Sequence, residues 1–345
     1  MNRKILVWTF LACVVSGGQT TAGEVSTVFV VEANGGVTLD SAGDIYAANY
    51  GPINAITGSE FVWKISPTGA FDPLIFATDI NIATGNDFDS EDNLYQSNFG
   101  GHSISKIDPS GVVELFSSAI NGPVGIAIDE MDNLFVNSCH DNSISQIAPD
   151  GMTTVFVSSG QFNCPNGITR APNGDFYVIN WHDGRIFHVT AAGVLSNFAT
   201  IAPPGGHVTI AGDRLYATSF GANQIYGLEL SGANAGIVVA SIGTGTAGST
   251  DGSYSVASFN QPNGITTDAT GEILYVTDQN GVRKIVLEDE AAAPPPPPPP
   301  PSATPPPSGG GGGSAGWGII LILAGMRLFG RRDRLSPALP RKLSK

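Results

Sequence analysis

The stretch Asn163-Cys164-Pro165-Asn166-Gly167-Ile168-Thr169, followed by Asp175-Phe176-Tyr177, contains a motif that the chain repeats. Its opening half, Asn-x-Pro-x-Gly-Ile, also occurs at 121–126 and 260–265. Its closing half, a turn and an apolar residue before an aromatic one, occurs at six places: Tyr46, Tyr95, Phe135, Tyr177, Tyr216 and Tyr275. A repeat of about 40 residues built from short strands is typical of propeller blades, because one four-stranded unit cannot bury both of its faces. The motif predicts an all-β fold, a six-bladed β-propeller.

The sixth repeat, residues 260–288, supplies only three strands. Ser26 to Val31 matches the fourth strand of repeat three, Thr153 to Val157. We therefore expect the N-terminal strand to pair with the last blade and close the ring, which would hide an open sheet edge. The propeller is predicted over 25–288, with long insertions at 51–60 and 243–254.

The two ends of the chain have compositions that do not suit a folded core. Residues 1–23 carry two basic residues near their start, Arg3 and Lys4, followed by an apolar run and then by small residues. This pattern is typical of a secretory signal peptide. After the propeller domain, 24–290, comes a Pro/Gly-rich linker over 291–313, and then an apolar stretch and a basic tail over 314–345. The sequence predicts export by the secretory machinery, with signal peptidase as a partner, to the cell surface or the medium.

The charge of the predicted domain is strongly negative. Residues 24–290 hold seven Lys and Arg against 29 Asp and Glu, a balance of −22. Such a field repels phosphate backbones and argues against nucleic-acid binding. It suits cations or a neutral ligand, and it is equally typical of a solvated acidic surface on an exported protein.

The repeat, with Asn-x-Pro-x-Gly-Ile, then Asn-Leu-Tyr as at 93–95, then Ile-x-Lys-Ile as at 104–107, resembles the NHL repeat and the SMP-30 (regucalcin)/gluconolactonase-like six-bladed propellers. This resemblance is specific for fold and weak for function. The tail, Gly309 to Trp317 followed by a short apolar run and arginines, resembles the GlyGly-CTERM sorting signal of exported Gram-negative bacterial proteins. That resemblance implies cleavage by a rhombosortase-like protease; the alternative is a plain C-terminal transmembrane anchor.

Polar residues are expected to gather on one face of the propeller, because the loops between second and third strands share a face with the links between blades. The ligand-binding candidates on this face are Asn98, Asn137, Asn180, Trp181 and Asn280. The candidate catalytic or metal-binding histidines are His102, His140, His182 and His207. The alternative for the asparagines is a turn role, since Asn bonds readily to its own backbone.

The resemblance to gluconolactonases implies a catalytic divalent cation held by Glu, Asn and Asp side chains where the blades begin. Asn166 and Asn263 match that pattern, but Gly35, Thr84 and Val124 stand at other blade starts, where carboxylates would be needed. Only Asp87 or Asp278 could supplement such a Ca²⁺ or Zn²⁺ site. A lyase that uses the histidines and a metal is a further possibility, again by resemblance.

Cys139 and Cys164 are the two cysteines that follow the signal segment, and both are expected on the same face of neighbouring blades. In an oxidising compartment a disulfide is expected, and two buried thiols are the alternative. The sequence as a whole predicts an exported, monomeric NHL-type propeller that binds an unidentified ligand or protein. The alternative is a metal-dependent hydrolase or lyase on the polar face.

Overall fold

The computed structural model describes residues 23–51 and 60–288, which form six antiparallel sheets. The first three blades run in chain order: β2 (Val37–Leu39), β3 (Ile45–Asn49), β4 (Glu60–Ile65) and β5 (Leu74–Ile80); β6 (Ala83–Phe88), β7 (Leu94–Asn98), β8 (Ser103–Ile107) and β9 (Val113–Ser117); β10 (Pro123–Ile128), β11 (Leu134–Ser138), β12 (Ser143–Ile147) and β13 (Thr153–Ser158).

Blades four and five repeat the pattern: β14 (Pro165–Arg170), β15 (Phe176–Asn180), β16 (Arg185–Val189) and β17 (Leu195–Thr200); β18 (Gly205–Ala211), β19 (Arg214–Ser219), β20 (Gln224–Glu229) and β21 (Val238–Ile242). Blade six contains β23 (Ile265–Thr267), β24 (Ile273–Asp278), β25 (Gly281–Val286) and two strands from elsewhere, β1 (Glu24–Phe29) and β22 (Gly252–Ser253). The six-bladed all-β prediction is confirmed. The described residues contain no α-helix and only one 3-10 turn, Gly232–Asn234.

The position of a strand within its blade decides how deeply it is buried. Every residue of β3, β7, β11 and β15, the second strands of the first four blades, is buried. These strands carry the repeated aromatic residues, which pack between neighbouring sheets; the rings of Phe135 and Phe176, for example, lie 4.4 Å apart across blades three and four. The fourth strands are half exposed because only one of their faces meets another blade.

The ring closes as predicted, through the N-terminal strand. β1 is antiparallel to β25, with Val25 opposite Ile285. The strand spans 24–29, starting two residues earlier than the predicted 26–31. The predicted insertion at 243–254 also contributes a strand, because β22 pairs with the outer edge of β1 at Val25 and Gly252.

Several predictions fall on residues that the structure does not describe. Most of the insertion in blade one (52–59), the signal segment, the linker and the C-terminal tail lie outside the described residues. Within the described part of the chain, no helix is long and apolar enough to span a membrane.

Candidate functional site

The first strands of the blades line a central channel with a cavity of about 210 Å³. One residue of each first strand stands opposite the repeated aromatic of the second strand and lines this channel. These six equivalent residues are Thr38, Asp87, Ala127, Thr169, Thr209 and Thr266. Asp87 is the acidic member of the ring, and burial raises its pKa to about 6. Its carboxylate accepts hydrogen bonds from Ile128 N at 3.1 Å and Thr38 Oγ1 at 3.4 Å.

His207 lies in the same channel, on β18. Its side chain is buried, and desolvation lowers its pKa to about 4 because the charged imidazolium loses its water. Its backbone N–H donates to Asn263 O at 3.0 Å and to Thr218 Oγ1 at 2.8 Å. His207 is therefore a neutral, fixed part of the channel wall at pH 7.

Asn166 and Asn263 fasten blades to one another. The Asn166 amide donates to Gly205 O at 3.1 Å and Gly206 O at 2.9 Å, across the junction of blades four and five. The Asn263 amide donates to Asn34 O at 2.9 Å, across the closure of blades six and one. Both side chains are buried. Their amide nitrogens thus have structural partners.

Asp278 forms a buried ion pair with Arg283. Its fully buried carboxylate lies 3.6 Å from the equally buried Arg283 guanidinium and accepts from the backbone N–H groups of Asn260 and Asn280. Burial raises the pKa of Asp278, while Arg283 and these hydrogen bonds act to lower it. Its charge is therefore already balanced inside the protein.

A divalent cation does not fit these residues. Asp87 lies three residues beyond the blade-start position in its strand, which is about 10 Å along the channel. Two neutral amide oxygens, on Asn166 and Asn263, would remain without a carboxylate beside them, whereas hard cations require several oxygens. Among the described residues, no three His, Cys, Asp or Glu side chains cluster as ligands for one ion.

Of the four candidate histidines, only His102 and His140 lie together, with ring centroids 5.6 Å apart. His102 Nδ1 accepts a hydrogen bond from Gly122 N at 3.0 Å, which places the ring proton on Nε2. His140 Nδ1 bonds to Asn121 Oδ1 at 3.2 Å. In this arrangement Nε2 of His102 carries the proton and has no lone pair for a metal. His182 is exposed on blade four, and His207 is in the channel.

The other candidate asparagines donate their amide hydrogens within the protein. Asn98 Nδ2 bonds to the hydroxyls of Ser103 and Ser105, and Asn137 Nδ2 to Asn166 O. Asn180 Nδ2 bonds to Gln161 O and Asp183 Oδ1, and Asn280 Nδ2 to Gly248 O. These amide hydrogens are thus bonded to other side chains or to carbonyls distant in sequence, and not to the backbone of the asparagine itself.

Trp181 belongs to a larger set that the sequence analysis missed. The residue directly after each second strand occupies an equivalent place on the upper face, the end of the propeller where the first strands begin. We call these six residues the upper-face ring: Tyr50, Phe99, Cys139, Trp181, Phe220 and Gln279. The equivalence is visible in the backbone, since Phe99 N, Trp181 N and Phe220 N all donate to a carbonyl of the link entering the same blade.

Four members of the upper-face ring are aromatic and half exposed. The rings of Trp181 and Phe220 lie 5.0 Å apart, and Phe99 lies 5.1 Å from His140. The Tyr50 hydroxyl accepts from Gln279 Nε2 at 3.3 Å. The signal was present in the sequence, because an aromatic residue follows the Asn or Ser that ends the second strand in four repeats.

The predicted disulfide is confirmed. Cys139 and Cys164 are bonded, at a sequence separation of 25. The bond joins the upper loop of blade three, within the upper-face ring, to the link that enters blade four.

Comparisons with known proteins agree on the architecture. No protein-family model matches the chain, and no curated protein matches it in sequence. Virginiamycin B lyase from Staphylococcus aureus is 17% identical, with a TM-score of 0.53, covering 76% of this chain and 99% of the lyase. A gluconolactonase from Xanthomonas campestris is 13% identical, with a TM-score of 0.58, covering 76% of this chain and 89% of the enzyme.

An auxiliary nutrient-binding protein from Bacteroides ovatus is 15% identical, with a TM-score of 0.63 and coverage of 77% of each chain. Two of these three proteins are enzymes and one is a binding protein. At these identities the likeness shows the fold alone. The chain is a six-bladed β-propeller with the architecture of these lyase, lactonase and nutrient-binding proteins.

Proposed function

We propose that the protein is an exported binding propeller whose upper-face ring holds an uncharged ligand. The observation that carries this proposal is the set of four half-exposed aromatic residues at equivalent positions in four blades, Tyr50, Phe99, Trp181 and Phe220. Half-exposed aromatic rings on one face of the propeller offer flat apolar contact area at little conformational cost. The amides and imidazoles beside them can orient polar groups of a ligand.

The charge of the domain restricts the chemistry of the ligand. With −22 on residues 24–290, anionic ligands are repelled. A neutral saccharide combines an apolar C–H face with hydroxyl groups and suits both the rings and the surrounding polar side chains. The fold is shared with a nutrient-binding protein as well as with two enzymes and is therefore compatible with binding, and the disulfide supports an oxidising, extracytoplasmic location.

Intrinsic fluorescence and titration calorimetry with a panel of neutral oligosaccharides test this proposal. We expect a bound sugar to perturb the emission of Trp181, and Trp181→Ala to weaken binding at least tenfold. Val155→Ala, at an exposed position on the outer strand β13, is the control and should bind normally. Equal affinity in Trp181→Ala, or no binding across the panel, would refute the proposal.

A hydrolase or lyase is the second candidate, and the observation favouring it is Asp87, a channel carboxylate whose pKa lies near 6. Such a group can act as a general base near neutral pH. Lactone and ester hydrolysis by the wild-type protein, abolished in Asp87→Ala and accompanied by a stoichiometric metal in elemental analysis, would establish the metal-dependent form. Hydrolysis that persists in a metal-free protein would leave Asp87 acting alone.

A further inference from the structure

One position in each third strand faces the preceding blade. In every blade it stands opposite the second-strand residue that directly follows the repeated aromatic. The six residues at this position are Trp63, Ser105, Ser145, Phe187, Tyr226 and Arg283. Four of the six side chains are large. Serine occupies the position in blades two and three.

The large side chains fill the gaps between neighbouring blades. Phe187 is fully buried and meets the ring of Phe162, from the preceding link, at 5.6 Å. Arg283 is fully buried with its guanidinium 5.1 Å from the Phe259 ring, and Trp63 Nε1 donates to Glu32 O at 3.0 Å. The gaps in front of blades one, four and six are therefore each filled by one large side chain from the third strand.

Ser105 is too small to close the gap between blades one and two. A cavity of about 670 Å³ lies there, lined on the apolar side by Ile75 and Ala77 of β5 and by Val113 and Leu115 of β9. Ala77, on the blade-one side of the cavity, is also small, so neither side chain fills the gap between the two blades. The two small side chains, Ser105 and Ala77, together leave this space open.

The inner wall of this cavity is polar. Asn98, Ser103 and Ser105 line it, with Asn98 Nδ2 donating to the two serine hydroxyls at 3.2 and 2.8 Å. A hydroxyl that accepts from Asn98 can still donate or accept once more. At the mouth, Ile75 is 50% exposed and Leu115 70% exposed, so a ligand would remove apolar surface from water.

We propose that this rim cavity is a second ligand site and that it takes a small aromatic molecule bearing a polar group, such as a phenol or an indole. Blades one, four and five place a Trp, Phe or Tyr side chain of the protein in the equivalent gap, which indicates that the space between two blades can hold one aromatic ring. The volume falls in the range of small-molecule pockets. The serine hydroxyls supply a partner for the phenolic or indole hydrogen.

Saturation-transfer NMR with indole, phenol and benzene as probes tests the site on the whole propeller. We expect indole and phenol to bind the wild-type protein and to bind at least tenfold more weakly to Ser105→Phe. This variant carries the phenylalanine that blade four has at the equivalent position, Phe187. Ser145→Phe changes the neighbouring gap and is the matched control, expected to bind as the wild type does. Benzene, which lacks a polar group, should bind more weakly than phenol.

A variant at the mouth keeps the test decisive if Ser105→Phe does not fold. Leu115→Asp, at an exposed position, should fold and should also weaken indole binding. Absence of indole and phenol binding to the wild type, or undiminished binding in Ser105→Phe or Leu115→Asp, would overturn the proposal. Because Trp181 lies in another blade, Trp181→Ala should leave indole binding unchanged, so this site and the upper-face ring can fail independently.

Discussion

At the scale of single residues, the asparagines show how one side chain can suggest two roles. Asn166 has an amide that could face a ligand through its oxygen, yet its nitrogen bonds to two carbonyls of the next blade. Removing this donor takes one hydrogen bond from each of those carbonyls inside the protein, and an unsatisfied buried acceptor costs more than the hydrogen bond itself contributes. Its structural role therefore has a measurable consequence.

We expect Asn166→Ala to lower the free energy of unfolding by about 2 kcal/mol. Urea denaturation monitored by circular dichroism measures this change. The loss should be the same with Ca²⁺, Zn²⁺ or chelator present, because the role of the amide requires no ion. A metal-dependent stabilisation of the wild type that disappears in Asn166→Ala would contradict this prediction and support the metalloenzyme alternative.

The low pKa of the buried His207 predicts that the stability of the protein depends on pH. Its pKa is about 4 in the folded protein and near 6.5 when unfolded, so the unfolded chain gains a proton that the folded one lacks as the pH falls below 6.5. The histidine therefore lowers stability progressively between pH 6.5 and 4, by up to about 3 kcal/mol.

The His207→Gln variant should lose less stability than the wild type between pH 7 and pH 4, and urea denaturation at both values measures the difference. Asp87, with its raised pKa, acts in the opposite direction in the same range, since protonation relieves its burial cost. Comparing the two proteins cancels the effect of Asp87. Parallel pH profiles would show that His207 is not the titrating group.

At the scale of elements, the closure of the ring depends on a contact between three distant segments. Asp251, beside β22, accepts from Thr27 N and Oγ1 of β1 at 3.0 and 2.9 Å. It also pairs with Arg283 of β25 at 2.6 Å. The insertion after blade five therefore holds the N-terminal strand against the last blade.

We expect Asp251→Ala to destabilise the protein by about 3 kcal/mol, because it leaves the buried Arg283 guanidinium with Asp278 as its only remaining carboxylate within 4 Å among the described residues. Hydrogen exchange should accelerate first in β1, since that strand loses two hydrogen bonds. Glu114→Ala, on the exposed face of β9, is the control. If hydrogen exchange in β1 is as slow in Asp251→Ala as in the wild type, Asp251 does not secure the closure.

At the scale of the whole molecule, the net charge of −22 makes the folded state repel itself. The domain has seven cations for 29 carboxylates, and six of these cations are already engaged in ion pairs, so the excess negative charge stays unbalanced. Raising NaCl from about 0.01 M to about 0.5 M shortens the screening length severalfold. Calorimetry should show Tm rising by a few degrees over this range. A falling Tm would mean that ion pairs outweigh the repulsion.

The number of blades, the closing strand and the disulfide could be predicted without the structure. Each depends on local spacing: an aromatic recurring at about 40 residues, a last repeat lacking a strand, and two cysteines in adjacent repeats. The sequence also placed the polar loops on one face, because connections alternate between the ends of a meander. The position of Trp181 was predicted in the same way, whereas its equivalents Tyr50, Phe99 and Phe220 required alignment of the second-strand ends.

The partners of those polar groups, in contrast, could not be predicted and became clear from the packing of the blades. Asn166 donates to carbonyls 39 and 40 residues away, Asp278 pairs with a buried arginine, and only His102 and His140 of the four candidate histidines meet. The strand β22 and the gap left by Ser105 likewise depend on a neighbouring blade. Partners across a blade junction are set by packing between sheets, and the periodicity of a single strand carries no information about them.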